Sequence, residues 1–482
     1  MQVPLLLSTS AKRCVPFARI PYQSQLWTFT STRRFSRHPL AMKQQQTGSA
    51  ADFFTSDAET LLPPSQRVHI LGMGNIGCFI AHSLRGILNP PQVTLLLHNE
   101  NLYDQWWKQK RRVTLVKHGL IEHAKGFDVS VARQGRWYTP SQPAIASRTS
   151  ADIANSSDEE LDTSTERSNP KTWALDEEPI DNVILTCKAT QVEKALKSIA
   201  HRLLPTSTIV FLQNGMGIID EVNEKIFSDP SMRPNYISGI TTHGFYRVEP
   251  FKAVHTGMGV TALAVTHTNS YIAGVEEVRH TQDETDPSIP TAKKTGDNNY
   301  ELHSHTSRYL LSLLCRTPAL TATALDKTAI ITSQLEKLAM NCVINPLTVL
   351  FNCKNGDLLQ SFNVARMQRL ILIEFAAVVR AMPELQGLPG LSVRFSPERL
   401  RKLAVGLERT TAENTSSMLQ DVLGGRETEI DYINGYIVKK GDELGIRCVA
   451  NYMVMQAVLA KSRLGSKAAQ EVIPFENLEE FL

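Results

Sequence analysis

The feature that most constrains the fold is a glycine-rich turn between an apolar strand and a helix. The segment Arg67–Leu71 is short, β-branched and apolar, and it leads directly into Gly72-Met73-Gly74-Asn75-Ile76-Gly77. A helix-like segment, 78–88, follows, and 92–97 has the composition of a second buried strand. In such a unit the first glycine permits a tight turn, the second lets a ligand approach the backbone, and the third lets helix and strand pack closely. The order predicts a Rossmann-like unit whose helix N-terminus binds the pyrophosphate of a dinucleotide.

Two further apolar runs end in residues that belong at one edge of a sheet. The runs 181–186 and 207–212 are predicted to be buried parallel strands. Lys188 follows the first run and Asn214 follows the second. Ligands of open α/β sheets bind outside the carboxyl ends of the strands, so both residues are candidates for ligand contact. Taken alone, Lys188 is more typical of a solvated loop lysine, and Asn214 could simply belong to a turn.

A polar stripe inside an apolar helix is the most informative pattern in the second half of the chain. Lys337, Asn341 and Asn345 are spaced by four residues, which places them along one helix face. Most residues between them are apolar, and an unsatisfied buried polar group costs on the order of 1–3 kcal/mol. The stripe is therefore either a hydrogen-bond network between helices or a catalytic set. In the second interpretation Lys337 is a general acid whose pKa burial lowers, and the two amides orient a polar substrate.

A second polar segment, 411–434, supplies further candidates. Ser417 and Gln420 share a helix face at a spacing of three residues. Glu429 lies at the start of another helix, where apolar residues recur at helical spacing. A glutamate at that position is also ordinary as a residue that stabilises the helix dipole. The residues alone leave its role open.

Composition excludes several classes of function. Hydrophobic content of 42% and charged content of 21% are ordinary for a globular protein. A net charge of +3 is too small to predict a nucleic-acid partner, and no run of about 18 apolar residues could span a bilayer. The seven cysteines form no Cys-x-x-Cys pair and no ligand cluster. We expect no nucleic acid, no membrane span, no metal and reduced thiols.

The N-terminus has the composition of a targeting segment. Residues 1–51 contain no Asp or Glu but seven Lys and Arg. Arg33-Arg34-Phe35-Ser36 resembles a matrix-protease cleavage site. We expect 1–55 to be a basic leader that acts as a mitochondrial transit peptide. The alternatives are a disordered leader, or initiation at Met42, with the protein in the cytoplasm.

Two internal segments are rich in acidic residues and poor in large apolar ones. They span about 147–180 and 276–300. Neither can bury enough apolar surface to offset the entropy of ordering it. We expect both to be surface insertions in an otherwise continuous domain.

Four strings of this sequence resemble the signatures of ketopantoate reductases. They are Lys-Leu-Ala-Met-Asn-Cys-Val-Ile-Asn-Pro-Leu-Thr at 337–348, the Ser-Ser-Met-Leu-Gln-Asp to Thr-Glu-Ile-Asp-Tyr-Ile-Asn-Gly region at 416–435, Asn-Gly-Met-Gly at 214–217 and Thr-Thr-His-Gly at 241–244. They occur in the family's order, from about Arg67 to the last helices. The resemblance is far more specific than the glycine turn alone.

The resemblance implies a fold and a reaction. The fold is an α/β Rossmann-like NAD(P)-binding domain at 66–325, followed by an all-α domain at 326–482 similar to the C-terminal domain of 6-phosphogluconate dehydrogenase. The reaction is the reduction of 2-dehydropantoate to pantoate, toward pantothenate and coenzyme A. By matching positions, Lys337 donates the proton to the ketone oxygen. The substrate is contacted by Asn341, Asn345, Asn355, Ser417, Met418, Leu419 and Gln420. The cofactor is held by Gly72, Met73, Gly74, Asn75, Ile76, Gly77, Lys188, Asn214, Phe245 and Glu429.

One position departs from the family's pattern. NADPH-specific members close the second strand with a basic residue, usually Arg, whereas here His98 follows the strand. We expect a cluster of basic residues further along to supply the charge for the 2′-phosphate, and NADP(H) rather than NAD(H) as the cofactor. That cluster is Lys108, Lys110, Arg111 and Arg112.

The resemblance also leaves the partner molecules partly open. The expected substrate is a small 2-keto acid, and the expected assembly is a monomer or a homodimer. One alternative is a reductase of another branched 2-keto acid. The other is a non-catalytic organellar protein that keeps the scaffold for regulation, which the intact Lys337, Asn341 and Asn345 set disfavours.

Overall fold

The computed structural model describes residues 65–140, 172–269 and 303–464. The predicted leader at 1–55 and the acidic segment at 276–300 lie outside the described residues. The strands are β1 (Val68–Leu71), β2 (Val93–Leu97), β3 (Val113–Lys117), β4 (Leu120–Ala124), β5 (Asp128–Arg133), β6 (Arg136–Pro140), β7 (Trp173–Leu175), β8 (Asn182–Leu185), β9 (Thr208–Phe211), β10 (Asn235–Thr241), β11 (Gly244–Glu249), β12 (Lys252–Gly257), β13 (Thr261–His267) and β14 (Ala322–Ala324). The α-helices are α1 (Asn75–Arg85), α2 (Glu100–Lys108), α3 (Ala189–Lys197), α4 (Ile218–Lys225), α5 (His305–Cys315), α6 (Lys327–Phe351), α7 (Phe362–Ala381), α8 (Leu391–Arg394), α9 (Pro397–Thr410), α10 (Ser417–Leu423), α11 (Ile430–Glu443) and α12 (Val449–Leu464).

Ten of the described strands form one sheet, in the order β14-β13-β10-β9-β8-β1-β2-β5-β6-β7. From β10 to β5 neighbouring strands are parallel, and β14 is parallel to β13. The antiparallel pairs are β13 with β10, β6 with β5 and β7 with β6. Around β1, His69 pairs with Thr94 on one side and with Val183 on the other. Continuous apolar runs are typical of strands covered on both faces, and β1, β2, β8 and β9 are buried throughout. All four strands predicted from the sequence are confirmed.

A second sheet covers one side of the helix that follows the glycine turn. Its four described strands lie in the order β11-β12-β3-β4, and α1 packs on all four of them. The ring centroid of Phe79 on α1 lies 4.9 Å from that of Phe245 on β11 and 5.3 Å from that of His255 on β12. Helix α1 therefore packs between the small sheet and the large sheet.

The long helix α6 is the centre of the second half of the chain. The helices α7, α9, α10, α11 and α12 pack around it. The carboxylate of Asp326 caps the first turn by accepting from the Ala329 amide at 2.7 Å, and Asn352, with φ of +49°, ends the helix. Because neighbours surround α6, it is apolar on almost every side. The predicted order, an α/β domain followed by an all-α domain, is confirmed.

The first helix is shifted from its predicted position of 78–88. It spans Asn75–Arg85, so it begins directly after Gly74 and ends before Gly86. The helix can start inside the glycine motif because only the first glycine of that motif adopts a left-handed backbone. The prediction placed the whole motif in the turn, and that part of it was wrong.

The first acidic segment, predicted as a surface insertion at 147–180, is partly integral to the sheet. Its described end forms β7 at Trp173–Leu175. The next residue, Asp176, accepts from Ser130 Oγ at 2.6 Å and from the buried Arg202 guanidinium at 2.7 Å. The prediction was wrong there because composition does not show that a distant arginine neutralises this carboxylate. The rest of the segment lies outside the described residues.

Three further properties concern only these described ranges. None of their helices has both the length and the apolar character that a bilayer crossing requires. Their His, Cys, Asp and Glu side chains do not gather in groups of three or more that could hold a metal ion. Their cysteines form no disulfide with one another.

Candidate active site

The glycine turn is closed against the sheet on one side and open on the other. A Cβ on Gly72, which has φ of +113°, would lie 2.3 Å from the Cys187 amide nitrogen, and one on Gly77 would lie 2.0 Å from the Gly72 carbonyl oxygen. Thr186 Oγ1 donates to that carbonyl at 2.5 Å. At Gly74 a Cβ would meet nothing within 4 Å, and no side chain caps the helix that starts there. The open amides of the first turn are the donors that an anionic pyrophosphate requires, so this turn fits a dinucleotide.

Lys337 reaches from the helical domain to the carboxyl edge of the large sheet. Its ammonium donates to Asn214 Oδ1 and to the Thr241 carbonyl oxygen, both at 2.9 Å. Asn214 follows β9, and Thr241 ends β10. Burial lowers the pKa of Lys337 to about 8, although the nearby charge of Glu429 raises it. The amine can therefore give up a proton near neutral pH.

Asn214 links Lys337 to Glu429. The Asn214 amide nitrogen donates to Glu429 Oε2 at 3.3 Å, and Glu429 Oε1 accepts from the Ala189 backbone amide at 3.0 Å. The orientation of the Asn214 amide follows from its partners, because an ammonium needs an oxygen acceptor and a carboxylate needs a donor. Burial raises the pKa of Glu429, while the bonds from Ala189 and Asn214 and the Lys188 charge lower it. The contacts of this glutamate are with the sheet domain, so it does more than stabilise a helix dipole.

Lys188 binds the helical domain directly. Its ammonium lies 2.7 Å from Asp421 Oδ1 and donates to the Glu427 carbonyl oxygen at 2.7 Å. Asp421 also pairs with Arg426 at 3.1 Å. The interpretation as a solvated loop lysine is therefore wrong. In this structure Lys188 joins the two domains beside Glu429, rather than standing alone at the edge of the sheet.

The two amides that follow Lys337 are available to a ligand. Asn341 and Asn345 lie one and two turns further along α6. The side chain of Asn345 is buried, and among the described residues neither side-chain amide makes a hydrogen bond to protein. A network between helices would pair these amides, so the structure favours the other interpretation of the stripe, a set that orients a polar substrate.

The remaining predicted substrate residues divide into available and occupied groups. Asn355 donates to Thr411 Oγ1 at 2.9 Å and leaves its own buried oxygen without a partner. Ser417 is exposed at the start of α10. The side chains of Met418 and Leu419 are 2% and 4% exposed within the helical core, so only their backbone can face a substrate. Gln420 donates from its side-chain amide to the Thr415 carbonyl at 3.0 Å.

Sequence reasoning missed the residues that hold the lysine from the sheet side. The Thr-Thr-His-Gly string stands out in the sequence, but nothing in it shows that the Thr241 carbonyl accepts from Lys337. His243 of the same string accepts from the Gly259 amide at 3.1 Å and lies 3.1 Å from His255 Nε2. Its ring centroid lies 4.9 Å from that of Phe79 on α1. The position of the string at the end of a parallel strand was the signal that could have placed it in the site.

The basic cluster expected to bind a 2′-phosphate lies at the opposite edge of the sheet from His98. Helix α2 is nine residues long and carries the cluster roughly 12 Å from the end of β2. There β3 begins by pairing Val113 with Ala124. The next carbonyl, of Lys125, accepts from Arg85 at the far end of α1, which marks the amino edge of the sheet. The expectation was therefore wrong for Lys108, Lys110, Arg111 and Arg112.

The chain combines two parts, a Rossmann-like domain that presents a glycine turn and a helical domain that supplies a lysine of lowered pKa. This combination defines the class of two-domain oxidoreductases. The comparisons give the family. Residues 137–267 match the family described as ketopantoate reductase PanE/ApbA, and 329–462 match ketopantoate reductase PanE/ApbA C terminal. The 2-dehydropantoate 2-reductase of Yersinia pestis is 30% identical over 282 residues, which are 58% of this chain and 74% of that protein. The chain belongs to the ketopantoate reductase family, and it is an oxidoreductase of the 2-dehydropantoate 2-reductase type.

Other relatives extend the similarity along the chain. A probable 2-dehydropantoate 2-reductase of Schizosaccharomyces pombe is 27% identical over 404 residues, 83% of this chain and 96% of that one. A ketoisovalerate reductase of Beauveria bassiana is 24% identical over 426 residues, 80% of this chain and 81% of that one. A solved D-mandelate dehydrogenase with NADH and anilino(oxo)acetate has a TM-score of 0.56 at 18% identity, covering 83% of this chain and 99% of its own. That last likeness concerns the fold.

Proposed function

We propose that the chain reduces 2-dehydropantoate to (R)-pantoate, with NADPH as the source of hydride. The observation that carries the proposal is Lys337, whose pKa burial lowers and whose ammonium is fixed by Asn214 and Thr241 beside the glycine turn. A bound nicotinamide supplies the hydride that a ketone needs. The open first turn of α1 after Gly74 would hold its pyrophosphate.

The residues of the chain perform the proton half of the reaction. Negative charge develops on the ketone oxygen as C2 is reduced, and Lys337 stabilises that charge and donates a proton from Nζ. Asn214 and Thr241 keep the ammonium in place and are themselves acceptors, so they do not compete as acids. Asn341 and Ser417 offer amide and hydroxyl donors that can orient the substrate carboxylate and hydroxyl. No metal is needed for this scheme.

We also propose a metabolic role and a cellular location for the protein. Pantoate is a precursor of pantothenate and coenzyme A, and the family to which the chain belongs supports this assignment. The basic, acid-free residues 1–51 support a mitochondrial location. A cytoplasmic location is the alternative, to be decided by imaging.

The branched 2-keto acid 2-ketoisovalerate is a second candidate substrate. Its support is the ketoisovalerate reductase of Beauveria bassiana, which matches along most of both chains. The two acids share the 2-keto carboxylate that Lys337 and Asn341 would address, and they differ only in the tail. A non-catalytic role is disfavoured because Lys337, Asn214 and Glu429 form a connected set.

Steady-state NADPH oxidation with each keto acid tests the proposal. We expect a higher kcat/KM for ketopantoate than for 2-ketoisovalerate. Lys337→Ala should lower kcat by about 10²–10⁴-fold, the usual contribution of a positioned proton donor. Lys327→Ala is the matched control, because Lys327 is an exposed lysine on the same helix. A preference for 2-ketoisovalerate would select the second substrate, and no turnover of either acid would overturn both.

A further inference from the structure

The turn after β10 carries a buried histidine whose ring binds other parts of the chain. His243 Nε2 lies 3.1 Å from the Leu320 carbonyl oxygen, and the Gly259 amide donates to His243 Nδ1 at 3.1 Å. Because a carbonyl only accepts and a backbone amide only donates, these partners assign the hydrogen to Nε2 and the lone pair to Nδ1. Burial is the main cause that lowers the pKa of His243, which agrees with a neutral ring. The ring therefore joins three segments, the turn after β10, the turn after β12 and the short turn before β14.

A second buried histidine donates to the same ring. His255 lies on β12, and its Nε2 is 3.1 Å from His243 Nδ1, the atom that also accepts from Gly259. To meet a lone pair, His255 Nε2 must carry its hydrogen. The rings of Phe79 on α1 and Phe245 on β11 pack on both histidines, with centroids between 4.9 and 6.2 Å away. Helix α1 and the small sheet therefore fix the position of the pair.

The segment that His243 holds fixes one peptide group at the active site. Next to Gly259, the Val260 carbonyl accepts from the Thr242 amide at 2.9 Å, and the Val260 amide donates to Thr242 Oγ1 at 2.9 Å. The Thr242 amide and the Thr241 carbonyl belong to one planar trans peptide, so they point in opposite directions. The bond of the amide to Val260 therefore directs the Thr241 carbonyl oxygen to the other side, where it accepts from Lys337 at 2.9 Å.

We propose that His243 is a positioning residue, which sets the direction in which the Thr241 carbonyl meets the Lys337 ammonium. The inference rests on the proposed function, in which that ammonium is the proton donor. His243 acts through Val260 and Thr242 rather than by contact with the ketone. A hydrogen bond to a well-directed carbonyl stabilises the charged form of a lysine. Release of this segment should therefore lower the pKa of Lys337 further, although the charge of Glu429 still raises it.

An NMR titration of Lys337 in the full chain, prepared with isotope-labelled lysine and without keto acid, tests the inference. The signal of Lys337 is the one that Lys337→Met lacks. We expect a midpoint near pH 8 in the unaltered protein. His243→Leu should lower that midpoint by about one pH unit, because the ammonium loses a well-directed acceptor. His243→Asn keeps an oxygen near the position of Nδ1 and should restore most of the difference. In NADPH oxidation with ketopantoate, His243→Leu should lower kcat by about 10–100-fold, and the pH at which kcat falls should follow the NMR midpoint.

Two further variants complete the experiment. Thr242→Val removes the hydroxyl that binds the Val260 amide and leaves the buried rings in place, so it tests the same link if His243→Leu does not fold. It should also lower the midpoint. His123→Leu is the matched control, because His123 is an exposed histidine of the small sheet that lies 3.0 Å from Thr114 Oγ1, and it should change neither the midpoint nor kcat. An unchanged midpoint in the variants that remove these bonds, or a shift that His243→Asn shows in full, would overturn the inference. If His243→Leu lowers the midpoint but the unaltered protein does not reduce ketopantoate, the proposed reaction alone is overturned.

Discussion

The proposed proton donor is a single lysine whose charge the surrounding protein disfavours. Burial lowers the pKa of Lys337 to about 8, while an unfolded lysine titrates near 10.4. The cost of burying the ammonium is fully present below pH 8 and disappears as the pH rises past the unfolded value. Lys337→Met should therefore leave the thermal unfolding temperature at pH 7 unchanged or raised, although it removes activity.

The same pKa predicts the pH dependence of turnover. A proton donor works only in its protonated form, so kcat should fall as the pH rises through about 8, not through 10.5. Glu429 raises that pKa by its charge, so Glu429→Gln should move the fall to lower pH. A kcat profile from pH 6 to pH 10 measures both effects.

Glu427, two residues before Glu429, provides a control for the loss of one negative charge. Glu427 has an exposed side chain, and it binds Lys188 through its backbone carbonyl rather than its carboxylate. Glu427→Gln therefore removes a charge without removing that bond. Its kcat profile should match that of the unaltered protein. If kcat falls only above pH 10, or if Glu429→Gln does not shift the pH at which kcat falls, Lys337 is not the group that titrates.

At the residue scale, sequence predicted side chains well and backbone partners poorly. The spacing of Lys337, Asn341 and Asn345 was enough to place them on one helix face. The Thr241 carbonyl that fixes the lysine has no sequence signature, because every residue has a carbonyl. The pairing of Lys188 with Asp421 depends on how two domains meet, and no local pattern encodes that.

At the element scale, the loop after β9 is built to fit against α11. The Met216 amide donates to the Tyr432 carbonyl at 2.9 Å. Gly215 has φ of +85°, and a Cβ there would lie 2.5 Å from the same carbonyl oxygen. The loop can bring Asn214 to Lys337 only because Gly215 has no side chain.

Gly215→Ala should therefore separate the loop from α11. We expect a loss of about 1–3 kcal/mol in the free energy of unfolding, together with a lower kcat, because Asn214 is displaced. Chemical denaturation and NADPH oxidation measure the two effects. The control is Gly119→Ala, which has a similar φ of +80° but open space around its Cβ, so it should cost stability without reducing kcat. Normal turnover in Gly215→Ala would argue against this role of the loop.

The elements themselves were predictable where one strong signal dominated. Four buried strands were placed correctly because apolar runs bounded by turn residues leave few alternatives. The end of the first acidic segment was misassigned, because Asp176 needs Arg202 from a distant part of the chain to become a core residue. The basic cluster was misplaced for a different reason, because the length of α2 separates residues that are close to β2 in sequence from the end of that strand.

At the scale of the whole molecule, we expect the catalytic body to need nothing before its first strand. The described residues begin at Ser65, whose amide donates to Asp181 Oδ2 at 2.6 Å. We expect a chain that begins at Ser56 to reduce ketopantoate as well as the full chain does. A fluorescent protein fused to residues 1–50 should enter mitochondria, as basic leaders without acidic residues do. Loss of turnover on truncation would show that the leader packs on the body, and a cytosolic fusion would contradict the targeting role.

The division of labour between the two domains has an evolutionary consequence. In the proposed reaction Lys337 and the amides on α6 address the keto acid, whereas the glycine turn that would hold the cofactor belongs to the sheet domain. Substitutions that adapt the helices to a different carbon skeleton therefore need not disturb the coupling to the cell's reducing power. A gene duplicate could acquire a new acid while the same nicotinamide couple of the proposed reaction continued to drive it. Substrate and driving force are inherited as separate characters in such a protein.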